Sequence, residues 1–159
     1  MAEKKWAEKK KAGKNRHKSR ESALEALYAW TSGGCDNATI PAILADRIQE
    51  EERMDQDVDY LREAVMGVTS AHEAIDSVIS EFLQKRSMET VAHIERNVLR
   101  LAVWEMQNRL EIPYRVIINE ALELARAYAD EPARGFINGV LDKASKSLRA
   151  QEIGASGRG

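Results

Sequence analysis

Residues 58–82, VDYLREAVMGVTSAHEAIDSVISEF, decide the fold class. Within them Val58, Leu61, Val65, Val68, His72, Ile75, Ile79 and Phe82 recur at steps of three and four. That spacing lays one apolar stripe along a helix of about seven turns, because side chains three and four apart share a helix face. The spacing therefore predicts a single long helix here.

Neighbouring segments repeat the pattern. Toward the N-terminus, Leu24, Leu27, Tyr28 and Thr31 make a stripe in a helix that opens near Ser19 and ends at Gly33-Gly34. Thr39 is the expected cap of a segment with Pro41 in its first turn, followed by Ile43, Leu44, Arg47 and Ile48. The acidic stretch 50–59 holds the next break. Further on, Val91, Ile94, Val98, Leu101 and Ala102 mark another helix that runs on to Trp104 and Met106. Pro113 suits the start of the next, carried by Val116, Ile117, Ala121, Leu124 and Tyr128. After Glu131-Pro132 comes a last helix with Phe136, Ile137, Val140, Leu141, Ala144 and Leu148, and residues 150–159 read as a flexible tail. No segment sustains period-two alternation. The expectation is an all-α protein, a compact bundle of six to seven helices.

Charge is distributed unevenly. The first 20 residues carry nine Lys and Arg against Glu3 and Glu8, while the other 139 residues are net −9. Residues 1–15 are rich in Lys, Ala and Glu, with Trp6 as their one large apolar side chain. They read as a basic arm, disordered when free, that cannot bury enough surface to offset its ordering entropy. The arm is no signal peptide, since residues 16–25 stay charged where an apolar stretch should follow. No run of about 18 apolar residues exists to span a membrane. Cys35 is the only cysteine, which fits a reducing cytoplasm.

Catalytic signatures are absent. His17, His72 and His93 belong to no metal-binding motif, and Glu89 and His93, one turn apart, are weak evidence for a metal. His72 on its stripe reads as a core or boundary histidine. There is no phosphate-binding Gly-rich loop and no nucleophile elbow. Glu120, Glu123 and Arg126 read as a solvated, ion-paired helix face. The chain is therefore expected to be a binding protein with no cofactor and no metal.

What it binds is suggested by the basic end. Lys14, Arg16, His17, Lys18 and Arg20 run directly into the first helix, and positive charge packed this densely is the footprint of a phosphate-binding segment. Tyr28, two turns further along, and Phe136, beside Arg134 and Gly135, are candidate stacking rings for unpaired bases. Taken alone, each ring reads better as a core aromatic.

Four stretches carry a family resemblance: residues 16–28 (RHKSRESALEALY), 95–106 (ERNVLRLAVWEM), 112–125 (IPYRVIINEALELA) and 135–142 (GFINGVLD). Together they resemble the bacterial transcription antitermination factor NusB family over residues 16–149. The resemblance implies two three-helix bundles. It also implies that boxA RNA of ribosomal RNA leader transcripts is bound together with NusE, a small-subunit ribosomal protein. RNA polymerase is the further partner, in an antitermination complex, and no reaction is catalysed. It places Lys14, Arg16, His17, Lys18, Arg20, Tyr28 and Phe136 on RNA, and Glu89, Glu95 and Arg100 near NusE or RNA. Asn119, Glu120, Asn138 and Gly139 become structural residues, with Gly139 permitting close helix approach. Glu25 stands where the family commonly has Gln. Two alternatives remain at this level: a helical protein–protein adaptor, and a detached NusB-like module of a ribosomal RNA methyltransferase. A homodimer is also open.

Overall fold

The computed structural model describes residues 2–157, with side chains described for residues 16–155. The side chain of Lys14 lies outside those described, and the backbone of residues 2–15, expected to be disordered when free, is described as helix, so that the first helix begins at Ala2 and not near Ser19. Among the described residues there are eight α-helices and no strand, and no helix is long and apolar enough to cross a membrane. The chain divides into two units, Met1–Thr69 and Ser70–Gly159.

The first unit holds α1 (Ala2–Ser32), α2 (Ile40–Ile48) and α3 (Val58–Ser70). Leu24 and Leu27 are fully buried on α1, as the stripe predicts, together with Ala23, Ala26 and Trp30. Tyr28 departs from that stripe and is 45% exposed. The helix stops where Gly34 takes φ +86 and Cys35 takes φ +60, a left-handed geometry that glycine adopts without steric cost. Thr39 precedes α2 as expected, but its side chain caps nothing there: the hydroxyl donates to the Asp36 carbonyl at 2.7 Å. Asp36 supplies the local cap instead, accepting from the Ala38 amide. Asp57 opens α3, its carboxylate accepting from the Tyr60 amide at 3.0 Å.

The single helix predicted over 58–82 is two helices, α3 and then α4 (His72–Ser80). The break falls at Ala71, which sits outside helical geometry at φ −118, ψ 17. Just before it, the Thr69 hydroxyl bonds back to the Val65 carbonyl at 2.8 Å. Such back-bonding bends helices, and the apolar spacing continues across the break because it records only which residues are buried.

The second unit holds α4, α5 (His93–Asn108), α6 (Tyr114–Tyr128), α7 (Glu131–Leu148) and α8 (Ala150–Gly157). α5 packs against α4, α6 and α7 and is buried on all sides from Asn97 through Met106. Its pattern is accordingly broader than one stripe. Asp130 caps α7 by accepting from the Ala133 amide at 3.0 Å.

The tail expected after residue 149 is instead the helix α8, and one buried arginine explains why. Arg149 donates to the carbonyls of Met106, Arg109 and Ile112 at 2.9, 3.1 and 2.9 Å, and pairs with Glu152 at 2.6 Å. Glu152 in turn accepts from the Tyr114 amide at 3.0 Å, so α8 caps the start of α6.

Candidate nucleic-acid interface

The basic turn of α1 folds onto carboxylates and a ring of its own unit. Lys18 Nζ lies 2.6 Å from Asp55 Oδ1, and Arg16 Nε lies 3.9 Å from Asp57 Oδ2. His17 Nε2 is 3.5 Å from Glu21 Oε1. Arg16 and Arg20 both sit over the Tyr60 ring, at 5.2 and 5.4 Å. Ser19, fully buried, ties the turn down by donating to the Asp57 carbonyl.

These contacts divide the predicted residues. Arg16, His17 and Lys18 remain partly exposed. Arg20, expected on RNA, is only 4% exposed and packs over Tyr60. Tyr28 lies seven and eleven residues beyond Glu21 and His17 and so shares their helix face. Its ring is half-exposed on that face.

Glu25, the departure from the family's Gln, has a partner in each direction. Its Oε1 accepts from Arg47 at 2.6 Å and from Arg53 at 2.7 Å. This ion pair fastens α1 to α2 and to the 3-10 turn that follows it. An uncharged Gln would make a weaker link there.

In the second unit Phe136 is half-buried on α7, with the Arg86 guanidinium 4.1 Å above its ring centroid. The two border an open cavity of about 310 Å³. Lys85, Arg86 and Lys143 line it, with Phe82, Leu83 and Val140 as its apolar part, and no carboxylate appears among the described lining residues. Gly135 and Gly139 form part of the wall, and a methyl group built on either meets nothing within 4 Å. This corrects the close-approach role expected of Gly139: open space, not a neighbouring helix, lies beyond it.

A second groove of about 680 Å³ runs between α6 and α7. Asn119 and Asn138 line it and are exposed. Its charges are mixed, Arg126 and Arg134 against Glu123 and Glu131. The predicted solvated ion pair is there, Arg126 lying 3.9 Å from Glu123 with both side chains more than half exposed.

The three residues expected near NusE separate. Glu89 is exposed in a 3-10 turn before α5, and Glu95 is half-buried in the first turn of α5. Arg100 is 4% exposed and holds Asp76 with two bonds of 2.8 Å, with a third to Asn97 at 3.1 Å. Its guanidinium is therefore engaged inside the unit, and little of it is exposed for a partner. His93 and Glu89 are both exposed, and among the described residues no three His, Cys, Asp or Glu converge in a metal-binding cluster. Sequence reasoning passed over Lys85, Arg86 and Lys143, which are scattered along the chain. Their signal, a basic residue facing the motif aromatic, exists only after folding.

Comparison with known proteins points the same way. The chain is 39% identical over 134 residues to the transcription antitermination protein NusB of Pectobacterium carotovorum, covering 84% of this chain and 94% of that one. It is 40% identical to the protein of that name from Baumannia cicadellinicola, with the same coverage. Among solved structures, NusB of T. maritima matches with a TM-score of 0.73 at 29% identity, covering 82% of this chain and 90% of its own. A chain in a crystal structure of antitermination factors NusB and NusE with double-stranded RNA matches with a TM-score of 0.69 at 28% identity, covering 84% and 98%. The NusB family profile matches residues 17–146, and by motif, fold and identity alike this chain belongs to the NusB family.

Proposed function

We propose that this protein is a transcription antitermination factor. It binds boxA-type single-stranded RNA of ribosomal leader transcripts together with NusE, and the complex helps RNA polymerase resist termination. No bond is made or broken. The observation that carries this reading is the Phe136 cavity, which brings a ring, three cations and an open glycine wall together with no carboxylate among its described lining residues. Neutral and cationic walls beside an aromatic suit an unpaired nucleotide, whose base stacks while its phosphate meets the charge.

Family membership and the neighbouring NusB–NusE–RNA structure support the same partners. On α1, Arg16, His17 and Lys18 supply further phosphate contacts, and Tyr28 a second stacking surface. Glu89 and Glu95 are the residues left to meet NusE. NusE raises RNA affinity by adding contacts, a coupling between two binding events.

The test is filter binding of boxA RNA, a scrambled strand and a double-stranded RNA, each with and without NusE. Preference for boxA that sharpens with NusE is the expected result. Equal binding of all three RNAs in the presence of NusE overturns the reading, and binding of NusE without any RNA would make the chain a protein adaptor. Tyr28→Ala should weaken boxA binding by about 1–3 kcal/mol with the melting temperature nearly unchanged.

A further inference from the structure

Phe136 is the ring that the sequence motif advertises, yet one of its faces is already covered. Arg86 lies over it, its Cζ 4.1 Å from the ring centroid, and the Arg86 side chain is itself exposed. Arg86 and Phe136 therefore line the cavity as a stacked pair, with the guanidinium the more exposed of the two. A guanidinium is planar and weakly hydrated, and it stacks on bases as aromatic rings do. One of its faces can rest on Phe136 while the other stays open.

We infer that the base-contacting group of this cavity is Arg86, and that Phe136 is a positioning residue that seats it. This rests on the RNA-binding role proposed above. Residue 86 is held near the ring from behind as well, since its Nη2 donates to the Thr90 carbonyl at 3.4 Å. Lys85 and Lys143 lie in the same wall, placed to take the phosphates that flank the stacked base. The glycine at 139 keeps the wall low enough for the sugar-phosphate chain to pass. Base recognition here depends on a plane that carries charge, and a Lys at position 86 would supply the charge without the plane.

The experiment is a double-mutant cycle on the full chain with NusE and boxA RNA, using Arg86→Lys, Arg86→Ala, Phe136→Ala and the double alanine variant. Arg86→Lys should lose roughly tenfold in affinity with an unchanged dependence on salt, because the charge is kept. Phe136→Ala should lose a similar factor alone but less than about twofold more when Arg86 is already Ala. Circular dichroism of each variant separates loss of folding from loss of binding, and Arg86, being exposed, is a mild change for the fold. Wild-type affinity in Arg86→Lys overturns the inference. So does a Phe136→Ala penalty that persists in full without Arg86, which would mean that the ring itself takes the base. In both of those cases wild-type protein still binds boxA. Wild-type protein that fails to prefer boxA would instead refute the RNA-binding role, and the inference with it.

Discussion

Lys18 Nζ lies 2.6 Å from Asp55 Oδ1, although the two residues are 37 positions apart. A cation proposed to meet RNA is thus shared with a carboxylate of the same unit, and Arg16 and Asp57 repeat the arrangement more loosely at 3.9 Å. Phosphate must compete with these carboxylates. An exposed pair of this kind is worth about 0.2–1 kcal/mol, so Asp55→Asn should raise boxA affinity by about 1.4- to 5-fold at low salt. Isothermal titration across a salt series checks this. Unchanged or weaker binding by a folded variant would show that Lys18 meets no phosphate.

Gly139 sits inside α7 with open space where a side chain would project. A glycine in a helix interior costs about 0.5–1 kcal/mol relative to alanine. Gly139→Ala should therefore raise stability by about that amount in urea unfolding while weakening boxA binding severalfold. A gain in stability with full affinity retained would place the RNA chain elsewhere.

Residues 1–15 hold six of the lysines, and Ser19 and Arg20 just beyond them are buried. Removing residues 1–15 should spare the fold. The slope of log K against log salt should then flatten by about 0.7 for each single-strand phosphate that these lysines neutralise. NusE binding should stay within twofold. An unaltered slope would mean that the leader touches no RNA.

Arg100 is 4% exposed and paired with Asp76, which retains 24% side-chain exposure. Truncating one partner of such a pair leaves the other charge uncompensated, at a cost of about 3 kcal/mol. Arg100→Ala should lower stability by that amount, while the folded fraction binds NusE and RNA as the parent does. Loss of NusE binding with stability intact would restore Arg100 to the interface.

Arg149 satisfies three carbonyls at the end of α5 and in the loop that follows. Arg149→Met should cost about 3–5 kcal/mol, because the Met106 and Ile112 carbonyls lose this donor and Glu152 loses its charged partner, while the Arg109 carbonyl keeps the Ile112 amide. Arg149→Lys should recover less than half, since an ammonium cannot span the three acceptors. Denaturant unfolding of both variants tests this, and a destabilisation below about 1 kcal/mol for Met would contradict it.

Helix boundaries at Gly33-Gly34, Pro113 and Pro132 were legible in the chain because they depend on local backbone chemistry. The break at Ala71 was not, because no Gly or Pro marks it and the apolar spacing runs through. The basic turn and the motif aromatics were equally legible as residue types. Their exposure was not, since Arg16, Arg20 and Phe136 each acquire a neighbour from a distant segment.

The amino-acid sequence alone determined the all-α class, most helix limits, the charge asymmetry and the family, since each is written in short-range spacing or composition. Tertiary structure alone decided which arginines serve the fold and which can serve a ligand. Arg100 meets Asp76 across 24 residues and Arg149 meets Met106 across 43, whereas Arg86 meets a ring and open solvent. A guanidinium has the same five donors at every position, and only the groups that folding brings beside it settle whether they are spent inside the protein or left for phosphate and base.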